Sequence, residues 1–202
     1  GDDVGEKGGD IALLGDSIKL SSESTIEASG LNGGGLISIG GEFQGGGNSS
    51  TATWVEADEG SITAANGGYD GDGGSITFWA DRLMYFRGRI EAEGGDEAGN
   101  GGTVEVSGKN RLVYDGVVST MSKHGHTGLL LLDPTDIEIS SAADQNITLV
   151  SPYSPDADDA VSILNTTTLL NALATSSVIV QTRSTGSQAG DITVNDVLSW
   201  GS

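Results

Sequence analysis

The 202-residue sequence predicts an all-β fold of stacked coils, a parallel β-helix or β-solenoid, with a short helix on its flank near residues 166–174. Three observations predict it. Glycines punctuate short apolar runs, apolar pairs at spacing two recur after those glycines, and the recurrence continues through a second and a third strand of each repeat.

The first strand of each repeat is read from the glycine that closes a small-residue doublet. Gly9 is followed by Ile11 and Leu13, Gly35 by Ile37 and Ile39, and Gly74 by Ile76 and Phe78. Gly102 is followed by Val104 and Val106, Gly128 by Leu130 and Leu132, and Gly190 by Ile192 and Val194. Alternation at period two marks a strand with one face turned inward. A second strand follows about nine places later around Ile18, Leu83, Leu112 and Ile137. A third inward position follows at Ile26, Ile90 and Val118, and the triplets Ile26-Glu27-Ala28, Ile62-Thr63-Ala64 and Ile90-Glu91-Ala92 are close to one motif.

The glycine landmarks stand 26, 39, 28 and 26 residues apart from Gly9 to Gly128. The long interval predicts an insertion near 45–60. Three short strands per coil bury little alone and become stable by stacking on the next coil, where each strand hydrogen-bonds above and below. At about 4.8 Å per strand, roughly seven or eight coils would make a rod on the order of 35 Å long.

Of the 33 glycines, 29 precede His126, which separates glycine-rich coils over 1–139 from a second stretch over 140–202. That stretch is expected to continue the same solenoid, interrupted by the acidic loop 151–160. In TTTLLNALATS, Leu169, Leu170 and Leu173 stand at helical spacing, with threonines as candidate caps.

Composition bounds the function. With 29 acidic and 9 basic residues the net charge is −20, which opposes binding to nucleic acid or anionic lipid. The absence of cysteine excludes disulfides, thiolate metal sites and thiol nucleophiles, and suits a chain exported unfolded through a narrow pore. No apolar run reaches the roughly 18 residues a spanning helix needs, so membrane insertion is not expected. The chain reads as a monomeric piece of a longer protein.

Candidate sites are sparse. GGYDGDGG, with Asp70 and Asp72, resembles one copy of a glycine-aspartate calcium repeat, and Asp156, Asp158 and Asp159 form a second weak calcium candidate. Calcium chemistry of this kind needs tandem copies, so a structural turn and a solvated acidic loop are the favoured readings. His124 and His126 could share a strand face as zinc ligands, but their setting beside Gly125 favours an exposed turn. No cofactor is expected. Trp54 and Tyr69 are the candidate ligand contacts among few aromatics. Glu91, Glu93, Glu105 and Asp81 could meet across coils as acid catalysts, with only Arg82, Arg87, Arg89 and Arg111 as basic partners, and surface alternation accounts for them more simply. No G-x-S-x-G appears, and the chain is expected not to be an enzyme.

The strings GGEFQGGG, GDGGSITFWADRLMYFRGRIEAEGGDEAGNGGTVEVSGKNRLVYDGVVST and GLLLLDPTDIEIS, followed by NTTTLLNALATSSVIVQT and GDITVNDVLSW, carry a resemblance. In this order they resemble a recurrent block of filamentous-haemagglutinin-like exoproteins of two-partner secretion systems, from about Gly8 to Ser202. The resemblance implies a right-handed β-helix, export by an outer-membrane transporter partner, and a place on the Gram-negative cell surface. It also implies adhesion, aggregation or biofilm formation through a host-cell or matrix receptor. A glycan-binding or polysaccharide-cleaving β-helix module is the alternative expectation.

Overall fold

A computed structural model of the chain describes residues 5–143, 161–184 and 189–200. Among these residues the fold is mostly β, with parallel sheets and one short α-helix. The first coil consists of β1 (Asp10–Leu13), β2 (Ser17–Leu20) and β3 (Thr25–Glu27). The same three-strand cycle repeats as β4 (Leu36–Ile39), β5 (Trp54–Ala57) and β6 (Ile62–Ala64), then β7 (Ser75–Ala80), β8 (Leu83–Phe86) and β9 (Arg89–Glu91). A fourth cycle comprises β10 (Thr103–Gly108), β11 (Arg111–Tyr114) and β12 (Val117–Ser119). After it come β13 (Leu129–Leu132), β14 (Ile137–Ser140), β15 (Ser162–Asn165), α1 (Thr166–Leu173), β16 (Ser177–Val180) and β17 (Ile192–Val194).

Every third strand joins the same sheet. The first sheet runs β1-β4-β7-β10-β13-β16, the second β11-β8-β5-β2 and the third β12-β9-β6-β3, and every pairing is parallel. Register converts this order into apolar columns. In the first sheet Ile11, Ile37, Ile76, Val104, Leu130 and Val178 stand in line, as do Leu13, Ile39, Phe78, Val106, Leu132 and Val180. The central members of both columns are fully buried. The first five pairs are those expected after Gly9, Gly35, Gly74, Gly102 and Gly128. In the second sheet Phe86 lies edge-on to Phe78 at 5.5 Å and stacks on Tyr114 at 5.7 Å, which fills the interior where Ala57 is small.

The glycine doublets owe their composition to space. Gly102 donates its N–H to the Ala92 carbonyl at 2.7 Å, closing the corner between the third strand of one coil and the first strand of the next. A Cβ on Gly102 would stand 2.0 Å from the Gly74 carbonyl oxygen, and one on Gly101 would stand 1.8 Å from the Thr120 oxygen. Neither glycine has positive φ, so backbone approach between coils, not left-handed geometry, excludes a side chain.

Several expectations are corrected. Leu83 opens the expected second strand, β8, and is fully buried, but it stands in the row of Ser17, Trp54 and Arg111; the β8 residue in register with Ile18, Val55 and Leu112 in the core is Met84. In the third sheet Thr63, not Ile62, aligns with Ile26, Ile90 and Val118; Ile62 faces outward between Thr25 and Arg89. The extra residues of the second coil occupy 40–53, short of the 45–60 expected, because Trp54–Ala57 is the regular strand β5. Among the described residues the largest sheet holds six strands, against the expected seven or eight coils, and residues 40–53 add no strand to it.

The most consequential correction concerns Gly190. The strand it opens, β17, pairs with β14 in a separate sheet of order β15-β14-β17, and the sixth place in the first sheet belongs to β16, preceded by Ser176 and not by glycine. The chain also departs from sequential stacking here. β15 lies beside β11, where the Leu112 N–H donates to Ser162 Oγ at 2.9 Å, while β14 pairs with β15 and stands one strand further out.

Helix α1 occupies the place where the third sheet would add its next strand. Its exit is tied to β12 by the Thr120 N–H donating to the Thr175 carbonyl at 3.0 Å and by Thr175 Oγ1 donating to the Val118 carbonyl at 2.7 Å. Leu169 and Ala172 pack into the core. The cap is Asn165, not a threonine: its side-chain oxygen accepts from the Thr167 N–H at 2.8 Å, and its amide donates to the carbonyls of Ser141 and Ala142.

Candidate functional sites

Two places gather polar groups. The first lies on the outer face of the first sheet, beneath residues 40–53. Between β4 and β5 the chain makes a short 3₁₀ turn at Phe43–Gly45 and lays it over Trp79. Gly45, at φ +60°, would place a Cβ 2.4 Å from the indole, so only glycine permits this contact. Beneath the turn Glu105 is fully buried; its carboxylate accepts from the Gln44 N–H at 2.7 Å and from Ser107 Oγ at 2.8 Å. Burial pushes the Glu105 carboxyl above its usual range and nearby Asp133 adds to the shift, against the Gln44 and Ser107 hydrogen bonds and the charge of Arg183.

Asp133 is buried at the end of β13. One of its oxygens accepts from Arg183 and, at 3.0 Å, from Gln181 Nε2; the other has no hydrogen-bond partner among the described residues. The Arg183 guanidinium also donates to the Gln44 carbonyl at 3.3 Å and lies 5.4 Å from the centre of the Trp79 ring. This cluster ties the insertion, the middle of the sheet and the residues after β16 into one unit. With Glu105 and Asp133 only 0% and 1% exposed, the cluster is closed to solvent and fastens these three segments to one another.

The second place is a surface groove of about 520 Å³ between the outer face of the second sheet and α1, lined by Tyr85, Arg87, Asp115, Asn165, Thr168 and Asn171, among others. Arg87 lies 5.0 Å over the centre of the Tyr85 ring and pairs with Asp58 at 3.4 Å. Lys19 continues the outer row of charges, 3.1 Å from Glu56 and 3.2 Å from Asp58. Burial would raise the Asp58 carboxyl, but hydrogen bonds with Glu56 and Lys19 and the charge of Arg87 hold it below its usual range. Tyr114, which also lines the groove, is almost wholly buried, and its hydroxyl has no partner among the described residues. Burial drives its phenol pKa well above the ordinary value.

The residues singled out from sequence are dispersed. Asp70 accepts from the Asn32 amide, and Asp72 accepts from the backbone and side chain of Asn100 at 2.6 and 3.2 Å. Asn100 in turn accepts from the His126 N–H at 2.9 Å, so these side chains link successive turns. His124 and His126 are exposed, Tyr69 is exposed at 57%, and Trp54 stands in the outer row of the second sheet. Asp156, Asp158 and Asp159 lie outside the described residues. Among the described residues no three His, Asp or Glu side chains converge as a metal site, and no helix is long and apolar enough to cross a membrane.

The expected quartet of acids divides. Glu91 pairs with Arg89, Glu93 accepts from Ser119 Oγ, and Asp81 accepts from Trp79 Nε1 at 3.1 Å and from Thr51 Oγ1 at 2.5 Å. Only Glu105 meets another buried acid, and its basic neighbour is Arg183, outside the four arginines considered from sequence. The Arg183 contact joins residues 50 or more apart, with no local pattern to announce it. No family model matches the chain, and no curated protein matches it in sequence.

Proposed function

We propose that the chain is a right-handed parallel β-helix segment of a large exported bacterial surface protein of the filamentous-haemagglutinin-like kind, serving as a non-catalytic shaft that holds adhesive groups away from the cell. The observation that carries this reading is the stacking order: each of the first four cycles of chain adds one strand to each of three parallel sheets, with apolar columns in register through them. Such an architecture lengthens by repetition, and its rigidity comes from hydrogen bonds between neighbouring coils. The lack of cysteine and the net charge of −20 agree with passage through an outer-membrane transporter partner and with a solvated exterior. The sequence resemblance supplies the two-partner secretion route and the role in adhesion, aggregation or biofilm.

Antibodies raised against the purified chain test the placement. They should label intact, unpermeabilised cells that produce the parent protein, and labelling should disappear when the gene for the transporter is removed. Signal confined to permeabilised cells would overturn the reading.

A further inference from the structure

We propose that the groove between the second sheet and α1 binds a neutral oligosaccharide. This inference concerns a site on the flank and stands independently of where the parent protein is displayed. The groove's volume of about 520 Å³ lies within the rough 300–1,000 Å³ range of small-ligand sites. Its lining pairs a flat platform with hydrogen-bonding groups of mixed polarity. The half-exposed Tyr85 ring and the Arg87 guanidinium stacked over it supply the platform. A pyranose ring offers an apolar C–H face to such a surface and hydroxyls around its rim.

The rim has counterparts. Asn171 carries an amide that donates and accepts, Thr168 a hydroxyl that does both, and Asp115 a carboxylate that accepts. Among the described residues none of these three side chains makes a hydrogen bond, whereas the acids of the sheet corners are taken up by neighbouring coils. Asn165 holds the wall in place: by capping α1 and fastening Ser141 and Ala142 it fixes the helix that presents Thr168 and Asn171.

Charge selects the neutral class. Arg87 is already paired with Asp58, Asp115 adds a negative group, and the molecule carries −20, so a sulfated or uronate-rich chain is repelled. A single free carboxylate is a thin basis for holding a polycation, while hydroxyl and amide groups provide most of the hydrogen-bonding capacity.

The test titrates the whole chain with maltohexaose, cellohexaose, chitohexaose and lacto-N-tetraose by calorimetry and saturation-transfer NMR, with a heparin hexasaccharide and hexalysine as charged probes. At least one neutral probe should bind saturably and neither charged probe should compete. Tyr85→Ala should weaken binding at least tenfold and Asn171→Ala or Thr168→Val several-fold, with unchanged circular dichroism, while Tyr69→Ala should leave it unaltered. Absence of saturable binding by all four neutral probes, preference for either charged probe, or binding that survives both Tyr85→Ala and Asn171→Ala would overturn the proposal. None of these results bears on surface labelling of cells, so the two readings fail separately.

Discussion

A methyl group is enough to separate two coils at the glycine corners. Gly102→Ala would place its Cβ 2.0 Å from a backbone oxygen of the neighbouring coil, which cannot rotate away as a side chain can. The substitution should cost roughly 2–4 kcal/mol, seen as a fall in Tm of about 5–10 °C. Gly9→Ala is the matched comparison, because nothing stands within 4 Å of its Cβ, and it should change stability by no more than about 0.5 kcal/mol. Equal losses from the two would show that close approach does not explain the doublets. Glu105 makes a different point at the same scale. Its buried carboxyl is harder to ionise in the fold than in the unfolded chain, so its protonated form stabilises the fold at acid pH and that benefit is lost as pH rises through the folded-state value. Glu105→Gln keeps an acceptor for Gln44 without the buried charge. It should therefore raise Tm at pH 7 by about 2–4 °C and by much less at pH 4, in melts run at both. A loss of stability at pH 7 would mean that attraction to Arg183 outweighs burial. The sequence revealed the alternation of Ile37 and Ile39 or Val104 and Val106 because polar residues separate them. It hid the parity of Leu83-Met84-Tyr85-Phe86, where four apolar or aromatic residues in succession leave no alternation to read.

Elements obey the repeat until the repeat is broken by residues that do not hydrogen-bond in its columns. The helix was legible because Leu169, Leu170 and Leu173 keep a 3.6-residue period, but its cap was not, since Asn165 belongs to the end of β15 and the threonines beside it are equally plausible by composition. Asn165→Ala removes the cap and both ties to Ser141 and Ala142. The expected cost is about 1–2 kcal/mol, measured by denaturant titration, with loss of helical signal near 222 nm preceding loss of strand signal. The exchange of β15 and β14 had no signature in the sequence: Ser162–Asn165 and Ile137–Ser140 are both short alternating strands, and which of them lies beside β11 is decided by the Ser162 bond to Leu112 and by the helix that follows β15. The same reasoning explains why Gly190 misled. It opens an alternating strand like the others, yet the corner before β16 is made by Ser176, which donates no glycine to the pattern and is anchored by Thr120 Oγ1 at 3.0 Å. The insertion was visible as a long interval, but the cluster it covers was not, because Glu105, Asp133 and Arg183 are brought together only by stacking.

Across the described residues, local patterns repeated at a nearly constant interval specify which strands stack, and the stacking creates one continuous hydrophobic core. The first sheet extends from β1 to β16, so the fold is held by contacts between residues one coil apart and does not depend on a single central layer. Acids in the outer rows are tolerated because they are solvated or paired, as Asp58 and the buried Glu56 are paired with Lys19. The central claim is that the coils stack in this register. The chain's lack of cysteine permits a direct check, since paired cysteines can be introduced on the exposed outer row of the third sheet without competing thiols. Adjacent strands in register place Cα atoms within the span a disulfide bridges, about 4.4–6.8 Å. Ile62→Cys with Arg89→Cys, and Arg89→Cys with Val117→Cys, should each form an intramolecular disulfide under mild oxidation, identified by mass spectrometry of the digested protein. Ile62→Cys with Ile90→Cys, the alignment suggested by the repeated triplets, should not, because those side chains lie on opposite faces. Cross-linking of the Ile62–Ile90 pair in place of the Ile62–Arg89 pair would contradict the register, and with it the stacked-coil architecture on which the account rests.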